Sequence, residues 1–392
     1  MRRLPPVVFV LAAGTFLMLT SEFVVAGLLP AMARDLGNGI PQVGTAITVF
    51  AVGMIASPAT VLLTLRLPRR STLALLLAVF AAGHVAAALS PALAPLLVAR
   101  FVTALATGAF WALSGLVAAD AAGEAASSSA LGVIQGGGAL ATVLGVPVGA
   151  FAAQAGGWRD PFWALALLAA LASLLVLRTV PGGHARHGAP TLRGELHALR
   201  RGRLWLVLGT CALVAAGVLS IYGFSAPLLV DCAGLPEALV PVALAVFGGA
   251  GLVGTLLAGR LGDRHPHAVV VGAAAITLAA AALLLPASSS PVPAVLVLGL
   301  LGLSGLSANP VLALLAIRAG GSAPTLASAL TPAAFNTGTA VGTGIASAAL
   351  AGSAGVLAPV QIGVVAAALV LGASIAIALV GPRARRAGGA VV

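Results

Sequence analysis

Nine residues of this 392-residue chain are acidic, and only Glu22, in Thr20-Ser21-Glu22-Phe23, lies well inside a long apolar run. An ionised carboxylate at the centre of a bilayer costs roughly 2.5 kcal/mol or more, so the neutral acid is favoured there. Such a group can exchange a proton with water whenever its surroundings open. The competing reading is a permanently neutral acid hydrogen-bonded to a neighbouring helix. Arg100 is the only other embedded formal charge. It needs a partner or water: pairing with Glu22, directly or through water and backbone carbonyls, would hold the carboxylate ionised until substrate or a proton intervenes. An anchor that reaches outward to the interface is the alternative. His84, the one His within an apolar run, reads more readily as a packed, hydrogen-bonded residue than as a proton relay. No His-Glu metal spacing, Ser-His pairing or clustered carboxylates occurs within the apolar runs. The chain is therefore expected to hold no metal or cofactor and to be no enzyme.

Other groups able to contact a ligand are few: Phe23, Phe110, Trp111, Tyr222, Asn309 and Asn336. A mostly apolar lining with so few hydrogen-bonding groups suits an uncharged or weakly polar organic molecule better than a sugar. In Gly145-Val146-Pro147-Val148-Gly149, Pro147 removes a backbone donor and kinks its helix. Gly145 and Gly149, four apart, admit a neighbouring helix at close range. Asn336, Gly338, Gly342 and Gly344 give a later segment a similar character.

The elements that position these residues follow from composition. The chain is 60% hydrophobic and 7% charged, with a mean hydropathy of +1.13. That is too few charges to cover a water-facing surface, which excludes a soluble fold. Its net charge of +11 would point to nucleic acid in a soluble protein, but here it bears on topology. Apolar segments run roughly 4–29, 43–64, 72–90, 94–119, 129–152, 161–180, 203–226, 237–259, 268–287, 292–318, 325–351 and 359–381, which predicts an all-α membrane protein with twelve spans. The first run continues without a small-residue cleavage pattern and reads as helix 1, not as a leader. The longest polar interruption, Pro181 to Gly202, divides the chain into halves 1–180 and 203–392, and its stretch Thr191 to Arg200 could form an amphipathic surface helix.

All basic residues are Arg. With a cytoplasmic N-terminus, the outside loops hold only Arg34 and Arg159, each beside an acid, Asp35 and Asp160. Apart from Arg100, the rest fall in the tails, the linker, at helix ends or in the inner loops, which predicts both termini inside. The two cysteines, Cys211 and Cys232, form no disulfide framework and read as packing residues. The turn Leu65-Arg66-Leu67-Pro68-Arg69-Arg70 has a counterpart about half a chain later, Gly259-Arg260-Leu261-Gly262-Asp263-Arg264. Such parallel repeats imply two six-helix halves related by a pseudo-two-fold axis along the membrane normal, with a substrate cavity between them.

Thr20-Ser21-Glu22-Phe23 with Gly27-Leu28-Leu29-Pro30 and Ala33-Arg34-Asp35-Leu36 resembles the helix 1 signature of the twelve-helix drug:proton antiporters of the major facilitator superfamily. Gly145 to Gly149, followed by Gly157-Trp158-Arg159 and Phe162-Trp163, is similar to their antiporter motif. Length, the Leu-Arg-Leu-Pro-Arg-Arg turn and the Arg-only, Ala-rich composition look most like the chloramphenicol-resistance exporters of high-GC bacteria. The loop motif Gly-x-Leu-x-Asp-Arg-x-Gly-Arg-Arg retains Leu63, Arg66, Arg69 and Arg70, while Val61, Leu65 and Pro68 replace its Gly, Asp and Gly. The second copy keeps Gly259, Leu261, Asp263 and Arg264, and the helix 4 motif keeps Arg100 but has Thr103-Ala104 where Gln-Gly is usual. The resemblance implies proton-coupled efflux of a small, largely uncharged antibiotic, chloramphenicol or an analogue, by alternating access. Glu22 and Arg100 would couple the proton in a monomer of the plasma membrane that binds no nucleic acid. A sugar or metabolite exporter on the same fold, and a transport-inactive membrane scaffold, are the other readings.

Overall fold

A computed structural model describes residues 4–64, 67–123, 126–180, 201–262, 264–321, 324–352 and 355–387. The linker 181–200, with its expected surface helix, lies outside the described residues, as do Arg66 and Asp263. Among the described residues there are helices and no strands. Lipid offers no hydrogen bonds, so each segment must satisfy its own backbone, and a chain built of Ala, Leu and Val does so as helix.

The helices are α1 Pro6–Leu36, α2 Ile40–Thr64, α3 Arg69–Ala88, α4 Leu93–Ala122, α5 Ser127–Leu140, α6 Val146–Gly156, α7 Asp160–Thr179, α8 Gly202–Gly223, α9 Val240–Gly262, α10 Pro266–Ala287, α11 Pro291–Gly305, α12 Asn309–Gly320, α13 Pro324–Ala351 and α14 Ala358–Ala387. Prolines open several of them, α1, α7, α10, α11 and α12 among them, at positions where no backbone donor is needed. Gly37, at φ 62°, closes α1 in a left-handed cap whose N–H reaches the carbonyl of Ala33.

Among the described residues, eleven helical stretches are long and apolar enough to cross a membrane. Two of them are each made of a pair of helices. α5 and α6 join through a π turn, Ala141–Gly145, and α11 and α12 meet at Leu306 to Ala308, just before Pro310. The expected twelfth, 325–351, is present as the continuous 28-residue helix α13 but falls outside that count. Its hydroxyl and amide series, Thr331, Asn336, Thr337, Thr339, Thr343 and Ser347, lowers its hydropathy while leaving its length sufficient.

The chain forms two compact units. One comprises residues 1–187, 225–227 and 236–245; the other comprises 188–224, 228–235 and 246–392. In the first, α3 packs on α4 and α7, α2 on α4, and α1 on α4, α5, α6 and α7. Its core gathers Leu11, Met18, Leu77, Phe80 and Phe110. In the second, α8 packs on α13 and α14, and α10 on α11 and α14. There the approach is close: a Cβ on Gly338 or Gly342 of α13 would strike the Ala212 or Ala216 carbonyl of α8. The outward faces are apolar. On α7, Leu167, Leu171 and Leu174 are exposed at helical spacing, and on α14 Val365, Leu369 and Leu379 are exposed, the pattern a lipid-facing helix requires.

Candidate functional site

Chemistry in the first unit concentrates where α1, α3 and α4 meet. On α1, Ser21 is fully buried and Glu22 beside it is half-buried, because neighbouring residues on a helix point about 100° apart. From α4, Arg100 reaches the same level with only 1% of its surface exposed. Its Nη1 donates to the Ser21 carbonyl and to Ser21 Oγ, both at 2.9 Å. Its guanidinium also lies over the Phe50 ring of α2, 4.2 Å from the centroid. A desolvated cation–π contact of this kind contributes about 2 kcal/mol. Nε and Nη2 of Arg100 are buried with no hydrogen-bond partner among the described residues.

Arg100 and Glu22 lie within each other's field but form no ion pair. Arg100 does not snorkel outward; it is held through Ser21. The third participant is His84 of α3, whose Nε2 lies 2.8 Å from Ser21 Oγ and whose Nδ1 lies 2.8 Å from the Phe80 carbonyl. Hydrogen-bond polarity fixes the tautomer. A carbonyl can only accept, so Nδ1 carries the hydrogen and Nε2 accepts from the Ser21 hydroxyl, whose oxygen accepts from Arg100 in turn. The His84 ring is fully buried, 4.1 Å from Phe80 and 5.8 Å from Phe162 between centroids. Ser21 and His84, 63 residues apart, meet in space, which their separation along the chain does not reveal. With no carboxylate behind the His and no access to the Ser, the pair is a hydrogen-bonding device and not a nucleophile.

The Gly145 to Gly149 stretch lies along α1 on both sides of Glu22. A Cβ on Gly145 would strike Thr20 Oγ1, and one on Gly149 would come within 2.6 Å of Val24 Cγ2. Pro147 is buried at the start of α6, directly after the π turn that absorbs its missing donor.

The other expected residues are more scattered. Phe23 is half-buried beside Glu22. Phe110 is fully buried in the core, its ring against Gly14 of α1. Trp111 is half-buried and packs toward Gly138 of α5. In the second unit, Tyr222 is buried with its ring 4.5 Å from that of Phe247. Asn336 of α13 donates through Nδ2 to the Pro332 carbonyl at 3.1 Å, while its Oδ1 is buried without a partner among the described residues. The same holds for Oδ1 of Asn309, half-buried at the start of α12. Both cysteines are free.

In the loop motifs, Arg69 at the start of α3 pairs with Asp120 of α4, so an acid from another helix meets the Arg where the first copy lacks its own. Arg70 and Arg264 are exposed, and a Cβ on Gly259 would meet open space. At the opposite end of this unit Arg34 and Arg159 pair with acids other than their sequence neighbours. Asp35 pairs with Arg159 and accepts from Trp158 Nε1 at 3.0 Å, and Arg159 also donates to the Ala88 and Ser90 carbonyls. Arg34 forms a two-pronged pair with Glu237 at 2.7 and 3.0 Å. Asp120 and Glu237 were not singled out by sequence, because only the fold brings them to their partners.

Residues 11–355 match the Major Facilitator Superfamily. The chain is 35% identical over 360 residues to a chloramphenicol resistance protein of Streptomyces lividans, covering 91% of this chain and 92% of the relative. It is 30% identical over 342 residues to YtbD, an uncharacterized MFS-type transporter of Bacillus subtilis, covering 86% of each. Its fold is similar to that of the nucleoside transporter NupG, with TM-score 0.75, 15% identity and 96% and 99% of the two chains covered. It is also similar to an inward-facing bacterial homologue of the human lysosomal transporter Spinster, with TM-score 0.69, 15% identity and coverage of 94% and 95%. The helical membrane architecture and these two extended sequence matches establish that the chain belongs to the major facilitator superfamily, as a multi-pass transporter and not an enzyme.

Proposed function

We propose that the protein exports a small, largely uncharged antibiotic, chloramphenicol or an analogue, in exchange for protons. The observation that carries this reading is Glu22: an acid midway along an apolar helix, half-buried, facing the field of a buried Arg100 with two unspent donors. An intramembrane acid beside such a cation can occupy two states. Ionised, it offers an acceptor to Arg100; protonated, it spares the apolar surroundings a charge. The 35% identity to a chloramphenicol resistance protein supports the substrate class. Glu22 loses its proton to the cytoplasm as drug is taken up, and takes one from outside as drug leaves. The membrane is the plasma membrane, with both termini cytoplasmic, the protein working as a monomer in two halves, 1–180 and 203–392, joined by 181–202. The scarcity of hydrogen-bonding candidates in the apolar runs favours this reading over a sugar exporter.

The test is expression in a host stripped of its own exporters. The native chain is expected to raise chloramphenicol tolerance, and Glu22→Gln to reduce proton-driven efflux in inverted vesicles at least tenfold. Full-rate export by Glu22→Gln would remove the coupling role, and absence of any phenotype across a broad drug panel would turn the assignment toward a metabolite.

A further inference from the structure

Arg100 is shared between two tasks. One amino group, Nη1, is spent on Ser21, and Nε and Nη2 are unspent. What keeps Ser21 available is His84. Elsewhere on α1 the hydroxyls turn back along the helix, Thr15 to the Leu11 carbonyl at 3.0 Å and Thr20 to that of Phe16 at 2.8 Å. Ser21 instead points its hydrogen at His84 Nε2 and its lone pair at Arg100. We propose that His84 is a positioning residue for proton coupling: through Ser21 it occupies one amino group of Arg100 and so sets how strongly that guanidinium holds the Glu22 carboxylate. This rests on reading Glu22 as the proton carrier.

Few other charges compete. α1 contributes Glu22 at this level and Arg34 and Asp35 at its end; α3 contributes Arg69 and Arg70 at its start; α4 contributes Arg100 here and Asp120 near its end. α7 carries Asp160 and Arg178 only at its ends, and α2, α5 and α6 carry no charged residue. His84 itself is enclosed by Phe80 and Phe162, and its Nδ1–H is committed to the Phe80 carbonyl, so it serves as a fixed neutral acceptor. Without that acceptor the Ser21 hydroxyl turns to the carbonyl one turn back, as Thr15 and Thr20 do, and its lone pair leaves Arg100. Nη1 then keeps only its bond to the Ser21 carbonyl, and its freed N–H, with Nε and Nη2, draws the guanidinium to the ionised carboxylate in a dry site.

The experiment follows the infrared band of the protonated Glu22 carboxyl in full-length protein in liposomes, identified by its loss in Glu22→Gln and titrated against pH. His84→Phe and Ser21→Ala should each displace its midpoint toward acid by about one pH unit. The double variant should add little, because both break one chain. His84→Gln, which keeps an acceptor oxygen near the Nε2 position, should restore the native midpoint. Chloramphenicol efflux, measured alongside, should shift its pH profile in step. Unchanged midpoints in His84→Phe and Ser21→Ala, a shift toward base, or no rescue by His84→Gln would overturn the proposal. Ser21→Ala, which removes a single buried oxygen, carries the test should His84→Phe fail to fold. Failure of the underlying reading looks different: no titrating band would vanish in Glu22→Gln.

Discussion

At the scale of single residues, the centre of the first unit is a guanidinium with its donors divided between a backbone carbonyl, a hydroxyl and nothing. That division predicts how substitution fails. Arg100→Lys retains the charge, but an ammonium lacks the planar fork and cannot face Ser21, the Phe50 ring and Glu22 together. Arg100→Lys is therefore expected to lose most of the efflux lost in Arg100→Ala, roughly tenfold or more, in vesicles at matched protein levels. Efflux near the native rate in Arg100→Lys would show that only charge matters. Glu22 and Arg100 were readable from sequence because a formal charge inside an apolar run is conspicuous. Ser21 and His84 were not readable as a pair, since both types also occur as ordinary packed residues and 63 positions separate them.

Among elements, the helix pair α5 and α6 packs closely along α1 beside Glu22. Gly145 and Gly149 flank Glu22 by touching Thr20 and Val24, and the π turn between α5 and α6 lets Pro147 stay in line. A larger side chain must push the two helices apart. Gly145→Val should lower the thermal midpoint of the purified protein by an overpacking cost of about 1–3 kcal/mol and reduce transport. Gly259→Ala, whose Cβ meets open space, should leave the thermal midpoint unchanged. In the loop motif, Asp120→Asn strips Arg69 of its acid while Nε of Arg69 has no partner among the described residues. Loss of this half-exposed pair is expected to cost about 1 kcal/mol or less in stability, read by the same thermal assay. Sequence located the glycines and the proline; it did not reveal that the expected 129–152 span would divide at a π turn, because that break answers the neighbouring helix as much as the local residues.

For the whole molecule, a single intramembrane acid makes a prediction about energy. Exchange of one proton for a neutral drug moves one net charge per cycle, and each 100 mV of membrane potential supplies about 2.3 kcal/mol per charge. A potassium diffusion potential, inside negative, should therefore drive chloramphenicol export from liposomes at equal pH on both sides; indifference to the potential would exclude this stoichiometry. What the sequence determined by itself was the class and the span pattern, because 7% charge and a mean hydropathy of +1.13 leave no fold but one that faces lipid. It also marked Glu22 and Arg100, since charge in an apolar run is costly wherever the run goes. Only the tertiary structure decided the partners: Arg100 with Ser21 instead of a direct pair with Glu22, Arg159 with Asp35 instead of Asp160, and Arg69 with Asp120. Hydropathy acts on one helix at a time and can be read along the chain. Hydrogen bonds and ion pairs act over about 3 Å between helices, and the order of residues does not record which faces meet.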